Sequence, residues 1–356
     1  MQRLCKSNLS TKNRYQLIIT ALPMAKKTFF SKPLKDISNI KSNFFEDNDK
    51  LLKQALTWNK IYSKQKKRIK CINCHSKLNS FDFISHKVKY VFCKKCNHFN
   101  GFNQETDRFY KLMYIDKKGG KFSKFYTSDF KSRVKKIYQP KLSFVKKIVP
   151  KIHSLLDLGC GAGHFIKACE EKSIKAKGYD VNETSINYGK KLLKKNKIFH
   201  FNQEDIFKKI KESNETVITM FGVIEHLQKP YKVFESFNDS KAKYLVISVP
   251  TFSLTVLMEH VFKNIYPRQL GGVHTHLYTD QSLNYIFKKF RLKIVGEWWF
   301  GTDLMDFKRS LISSDQKNRK FTKIVNNYFQ DITDEMQNSI DKKKLSSEAH
   351  IILKKK

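Results

Sequence analysis

Four cysteines stand as two pairs, Cys71-x2-Cys74 and Cys93-x2-Cys96, with 18 residues between the pairs. Each pair puts two thiolates on one tight turn, and the intervening chain can return so that the turns face each other. Two such pairs at this separation have the spacing of a tetrahedral zinc site. Phe81–Ile84 and Val88–Phe92 read as two short strands, so the segment predicts a zinc ribbon. Four thiolates close a structural site and leave no position open for catalysis. The metal stabilises a module too small to fold on its own core. His75, His86 and His98 lie nearby and are expected to be bystanders. Disulfides are not expected, because no export signal is evident.

The second chemical pattern is Leu155-Leu156-Asp157-Leu158-Gly159-Cys160-Gly161-Ala162-Gly163-His164-Phe165: a strand, a glycine-rich turn and a helix start. Glycines here allow positive φ and let a ligand come close to the backbone. A dinucleotide fingerprint needs glycine at 164, where His164 stands, and the lysine of a phosphate-cradling loop is absent. The pattern is Asp-x-Gly-x-Gly-x-Gly, which resembles motif I of class I S-adenosylmethionine (SAM)-dependent methyltransferases. Later segments follow that family's order. Gly178-Tyr179-Asp180 ends the second strand, Glu204-Asp205-Ile206 follows the third, Gly222-Val223-Ile224-Glu225-His226-Leu227 follows the fourth, and Tyr244–Pro250 resembles the fifth. The resemblance covers roughly residues 150–310 and the final strand. It implies that Asp180 accepts from the ribose hydroxyls and that Asp205 meets the adenine amino group. With Asp157, Gly159, Cys160, Gly161, Gly163, Phe165, Val181, Ile206 and Phe221 these complete the implied SAM site.

The Glu225-His226-Leu227 run is similar to the signature of ubiquinone-biosynthesis-type methyltransferases. A ribbon followed by such a domain and by His276-Leu277-Tyr278-Thr279 resembles zinc-ribbon enzymes of polysaccharide and modified-sugar biosynthesis, including sugar C-methyltransferases. Some ubiquinone-type enzymes hold a divalent metal with Glu-x-x-Glu-His. Gly222 replaces the first Glu, and two remaining ligands on one turn make a weak site, so no catalytic metal is expected. A sulfonium methyl is already activated, so the protein must hold a nucleophile in line at about 3 Å and exclude water. A hydroxyl or carbon acid also needs a base. His276, His226 and His274 are the candidates, with Glu225 contacting substrate or capping a helix.

These residues need elements to hold them. After Pro150, apolar strands (Ser154–Leu158, Ala176–Val181, Ile198–Phe201, Thr216–Phe221, Tyr244–Val249) alternate with helices (Phe165–Lys172, Thr184–Lys195, Tyr231–Phe237). A helix at Gln281–Phe290, a sixth strand at Leu292–Val295 and a last at Ala349–Leu353 follow. The expected fold is α/β, a doubly wound, mostly parallel, seven-stranded Rossmann-like sheet behind a small ribbon. The domains read as a basic extension over 1–44 whose composition allows disorder, a helix plus ribbon over 45–112 and a helical linker over 113–150. The methyltransferase domain follows over 151–356, with a helical insertion at 311–345. Pro140 is expected to break the linker helix. Trp298, Trp299 and Phe300 read as core and pocket wall.

The chain has 356 residues and a formal net charge of +38. Such a charge suggests nucleic acid, yet only nine of its 70 basic residues are Arg, the side chain suited to bidentate phosphate and base contacts. Lys, Asn, Ile and Phe share AT-rich codons, so codon bias also accounts for the excess. With 40% hydrophobic residues the chain is too apolar to be disordered. No apolar run reaches the roughly 20 residues of a membrane span. Residues 1–35 hold eight basic residues and no acid, which fits either a transit peptide or a start at Met24; the expected location is cytoplasmic. The leading expectation is methyl transfer to a small molecule: a sugar, lipid or quinone-like hydroxyl or carbon. The alternative is a zinc-ribbon RNA methyltransferase, against which stands the absence of an Asn-Pro-Pro-Tyr-type motif after the fourth strand.

Overall fold

A computed structural model describes residues 25–34, 47–115, 129–193, 196–270, 274–315 and 317–356. Its strands, in chain order, are β1 (Lys27–Phe30), β2 (Phe83–Ser85), β3 (Val88–Phe92), β4 (Phe99–Gly101), β5 (Ser154–Leu158) and β6 (Lys175–Asp180). Then come β7 (Ile198–His200), β8 (Val217–Phe221), β9 (Tyr244–Pro250), β10 (His276–Leu277), β11 (Leu292–Phe300) and β12 (Glu348–Lys355). They form an eight-stranded sheet, ordered β1-β11-β12-β9-β8-β5-β6-β7, and a four-stranded sheet, ordered β10-β4-β3-β2.

β5 and β9 are apolar runs buried along nearly their whole length, as strands of a parallel sheet covered on both faces must be. Helices His164–Glu170, Glu183–Lys190, Ile206–Lys211 and Tyr231–Asp239 make the crossovers. The chain winds outward from β5 to β6 and β7, then returns to β8 and β9 on the other side. The switch point therefore lies between β5 and β8, and sheets of this kind bind ligands at the carboxyl ends of the strands there. β12 runs antiparallel between β9 and β11. Two large clusters of buried side chains cover the two faces of the sheet.

The sheet has eight strands, one more than the sequence predicts. Lys27–Phe30 pairs in parallel with Gly296–Trp299 of β11. Within the expected extension over 1–44, residues 27–30 are thus an ordered strand, and Phe29 and Phe30 pack on the two apolar clusters. Residues 1–24 and 35–44 of that extension, Met24 among them, and residues 116–128 of the expected helical linker lie outside the described residues. Pro140 does not break a helix. A π-turn at Val134–Tyr138 leads into helix Gln139–Ile148, with Pro140 in its first turn, where a missing N–H costs nothing. The insertion between β11 and β12 is three helices, Asp303–Ser314, Arg319–Tyr328 and Thr333–Lys342, beginning ahead of the expected 311. Trp298, Trp299 and Phe300 are buried. Among the described residues no helix is long and apolar enough to cross a membrane.

Candidate active site

The turn after β5 carries positive φ at Gly159 (76°), Gly161 (52°) and Gly163 (78°). A Cβ on Gly159 would stand 2.4 Å from Val223 Cγ2, so only glycine lets the loop after β8 close over it. A Cβ on Gly161 would meet nothing within 4 Å, so here the backbone conformation and an open face set the residue. Asp180, at the end of β6, is anchored to this turn. Its Oδ2 accepts the Gly161 N–H at 2.7 Å and its Oδ1 the Asn182 N–H at 2.8 Å. Burial raises its pKa, and the two backbone donors pull against that.

Asp157, on β5, is buried and accepts from Thr219 Oγ1 at 2.6 Å. Burial pushes its carboxyl up to about 7, against the Thr219 hydrogen bond. A carboxylate whose folded pKa is raised contributes stability that is fully present below its unfolded pKa and lost as pH rises through about 7. The thermal midpoint of the cofactor-free chain should therefore fall between pH 5 and pH 8 by less in Asp157→Asn than in the wild type. Equal falls would remove Asp157 as the cause.

Phe165 is buried, with its ring centroid 4.8 Å from that of half-buried Phe221. Cys160 is buried at the turn, and burial raises its thiol pKa, so it stays a thiol. Val181 is half-buried; Asp205 ends a short 3-10 turn, and Ile206 begins the next helix with its side chain in the core. Gly189, in the following helix, has a role the motif does not reveal. A Cβ there would lie 2.3 Å from the Ala162 carbonyl oxygen. Gly189→Ala should push the glycine turn outward, cost roughly 1–3 kcal/mol of stability and weaken cofactor binding, read by thermal melts and calorimetry. A melt and an affinity both unchanged would contradict it.

On the acceptor side, Gly222 follows β8 at φ 67°, a left-handed position that disfavours a Glu side chain there. Glu225 follows in a short 3-10 turn, buried, and its Oε2 has no hydrogen-bond partner among the described residues. Burial pushes its carboxyl up to about 8. His226 lies 3.9 Å from Glu225, and its ring stacks with that of His274 at 5.4 Å. One ligand atom from each of Glu225, His226 and His274 falls within 4.8 Å of the others. The two-ligand count from sequence is thus corrected, because the long connection after β9 brings His274 in as a third group. His276 lies beside them, fully buried, with Nδ1 3.0 Å from His98 Nε2 and Nε2 without a partner. Burial lowers the pKa of His274 to about 4 and that of His276 well below the usual range, which leaves both imidazoles uncharged at neutral pH.

Sequence reasoning missed Lys141 and Tyr110. The Lys141 ammonium lies 4.8 Å over the Phe221 ring and 3.8 Å from Glu348. Burial lowers its pKa, while Glu348, Asp157 and Glu225 support the charge. Tyr110, on the segment after the ribbon, is buried near enough to Asp180 for that carboxylate to add to burial in raising its phenol. One Lys among 61 and one Tyr among 15 carry no spacing signal.

In the ribbon, the Sγ atoms of Cys71, Cys74, Cys93 and Cys96 all lie within 4.8 Å of one another. Cys71–Cys96 is 3.7 Å and Cys74–Cys93 is 3.4 Å. Tetrahedral zinc with bonds of about 2.3 Å sets its sulfurs about 3.8 Å apart, so the four side chains fit that ion.

Residues 125–297, which include the turn and the acids Asp157, Asp180, Asp205 and Glu225, match a family model described as a methyltransferase domain. Over that stretch the chain is similar to a methyltransferase domain. Among solved structures it is similar to a SAM-dependent methyltransferase from Archaeoglobus fulgidus, at 18% identity over 66% of this chain and 100% of that one, TM-score 0.43. It is similar to the plantazolicin methyltransferase BamL, solved with a triazolic desmethyl-plantazolicin analogue and S-adenosylhomocysteine, at 15% identity over 69% of this chain and 94% of that one, TM-score 0.44. A third is the methyltransferase domain of a bacterial Hen1, at 15% identity over 62% of this chain and 99% of that one, TM-score 0.40. No curated protein matches the chain.

Proposed function

We propose that the chain transfers the methyl group of SAM to a small molecule, a sugar, lipid or quinone-like hydroxyl or carbon, held against Glu225, His226, His274 and His276. The observation that carries this reading is a pair of uncharged imidazoles, fully buried His276 and half-buried His274, with a His274 ring nitrogen within 4.8 Å of a Glu225 carboxylate oxygen. SAM, when bound, supplies a sulfonium methyl that needs no further activation. Asp180 would accept the ribose hydroxyls, Asp205 the adenine amino group, and the backbone at 159–161 the body of the cofactor. Phe165, Phe221 and Ile206 wall the site and keep water out. An uncharged imidazole is a proton acceptor. His274 Nδ1 and His276 Nε2 have no partners among the described residues, so either can take the proton that a hydroxyl or carbon acid gives up. The ribbon cysteines would hold one structural zinc.

A second reading has a specific observation behind it. The three ligand atoms of Glu225, His226 and His274 are close enough for one divalent cation, which would orient a hydroxyl acceptor. Chelation that leaves the ribbon metal in place separates the two: unchanged turnover favours the imidazole base, lost turnover the cation.

The test is incubation with methyl-labelled SAM and separated extract fractions of nucleotide-sugars, lipids and RNA. Label should enter a small-molecule or lipid fraction. Label in RNA alone would overturn the reading and turn the Lys-rich surface into a substrate platform.

A further inference from the structure

We propose that the four-cysteine ribbon is a positioning element of the acceptor pocket, with His98 and Gly101 setting where His274 and His276 stand. This rests on reading those two histidines as acceptor-side groups. Sequence separates ribbon from methyltransferase by a linker, but the fold stitches them together. β10, from the connection after β9, is the edge strand of the ribbon sheet, with His276 opposite Asn100 and Leu277 opposite Phe99. The Gly101 N–H donates to the Thr275 carbonyl at 2.7 Å. A Cβ on Gly101 would stand 2.6 Å from that carbonyl oxygen and 2.4 Å from Tyr62 Oη, so only glycine permits the approach. Glu105, ion-paired to buried Arg68 of the ribbon, accepts from the Thr275 hydroxyl.

The ribbon's metal-binding turn carries this contact. The Cys93 N–H donates to the His98 carbonyl at 2.9 Å and the Asn97 N–H to the Cys93 carbonyl at 2.8 Å, which fixes the backbone of His98. The His98 ring then bonds His276 Nδ1 at 3.0 Å and lies 3.3 Å from Ser282 Oγ. Thr279 Oγ1 donates to the Asn97 carbonyl at 3.0 Å, and Asn73 Nδ2 to the Ser282 carbonyl at 3.0 Å. One residue beyond β10 the chain reaches the other sheet, where the Phe252 N–H donates to the Tyr278 carbonyl at 2.8 Å. The segment 275–278 is thus held between the ribbon and the end of β9. Emptying the cysteine site loosens its ribbon side and lets the acceptor-side histidines drift from Glu225, while β5, β6 and the glycine turn keep their own support.

The test uses the full chain, with its zinc counted before and after chelation, and reads amide hydrogen exchange alongside titration with S-adenosylhomocysteine. On zinc removal, amides of residues 275–278 should exchange at least ~10-fold faster, while β5 and β8 amides and the affinity stay within about twofold. Retained protection at 275–278 would overturn the proposal. So would loss of protection across β5 and β8, since the ribbon would then be a folding requirement for the whole chain. In the zinc-loaded chain, His98→Leu should lower kcat for label transfer ~10-fold at unchanged KM for SAM, and His98→Gln, whose amide still reaches His276, should restore most of it. Equal kcat in His98→Leu and wild type, or equal loss in both variants, would overturn the positioning role. A wild-type chain that methylates no small molecule would sink the reading above, and the exchange result would then decide the coupling alone.

Discussion

Cys93→Ser is expected to take bound zinc from about one ion per chain to near zero and to melt the ribbon at a lower temperature than the large sheet. Binding of a structural zinc contributes on the order of 10 kcal/mol to small modules that have little core of their own. The ribbon's core is small: Leu78 and Val91 pack with the four cysteines, while Tyr90, Phe99 and Val88 lean on Trp58, Tyr62 and Val256 outside it. Its sheet has three short strands of its own and borrows the fourth. Amide donors already point at the sulfurs, Asn73 Nδ2 toward Cys96 Sγ at 3.7 Å and Asn100 Nδ2 toward Cys71 Sγ at 3.6 Å, which suits thiolates sharing charge with a cation. The check is metal analysis of the purified chain together with a thermal melt. A wild-type chain without zinc but with a folded ribbon would contradict the four-thiolate assignment.

Asp180→Ala should weaken SAM binding by ~1–3 kcal/mol, about 5- to 150-fold in Kd, with the melt of the cofactor-free chain changing less. Two effects add. The ribose hydroxyls lose the acceptor assigned to them, and the Gly161 N–H loses the carboxylate that holds the turn at 2.7 Å. Asp180→Asn keeps an oxygen for one of these partners and should fall between wild type and Ala. Calorimetric titration reads both variants. An affinity unchanged in Asp180→Ala would refute the ribose assignment.

Motifs held by local chemistry were legible in the sequence. Asp-x-Gly-x-Gly-x-Gly needs three positive-φ positions, and the structure has them. β3 and β5 coincide with the strands read from alternation and from an apolar run. What escaped depends on contacts between distant segments. β1, β4 and β10 are two to four residues long, too short for periodicity to mark. Their order comes from partners more than 170 positions away for β10 and nearly 270 for β1. His274 gains meaning only when the connection after β9 folds back against Glu225 and His226. The contact between His98 Nε2 and His276 Nδ1 also needed the fold, because the two residues lie 178 positions apart. The opposite case is Pro140, a strong local signal whose outcome changed because a π-turn in front of it let a new helix begin there.

The net charge of +38 now has a narrower meaning. The groups proposed to carry the chemistry are acids, glycines and neutral histidines, several of them buried. Lys146 and Lys147 of helix Gln139–Ile148 border a surface groove together with Lys172.

The most direct measurement is an equilibrium titration of the full chain with SAM, with S-adenosylhomocysteine as competitor. Saturable binding at one site per chain, displaced by S-adenosylhomocysteine and lost or strongly weakened in Asp180→Ala, is the predicted result. No saturable binding to a folded chain, or binding indifferent to Asp180, would contradict the cofactor site at the glycine turn on which the rest of the account is built.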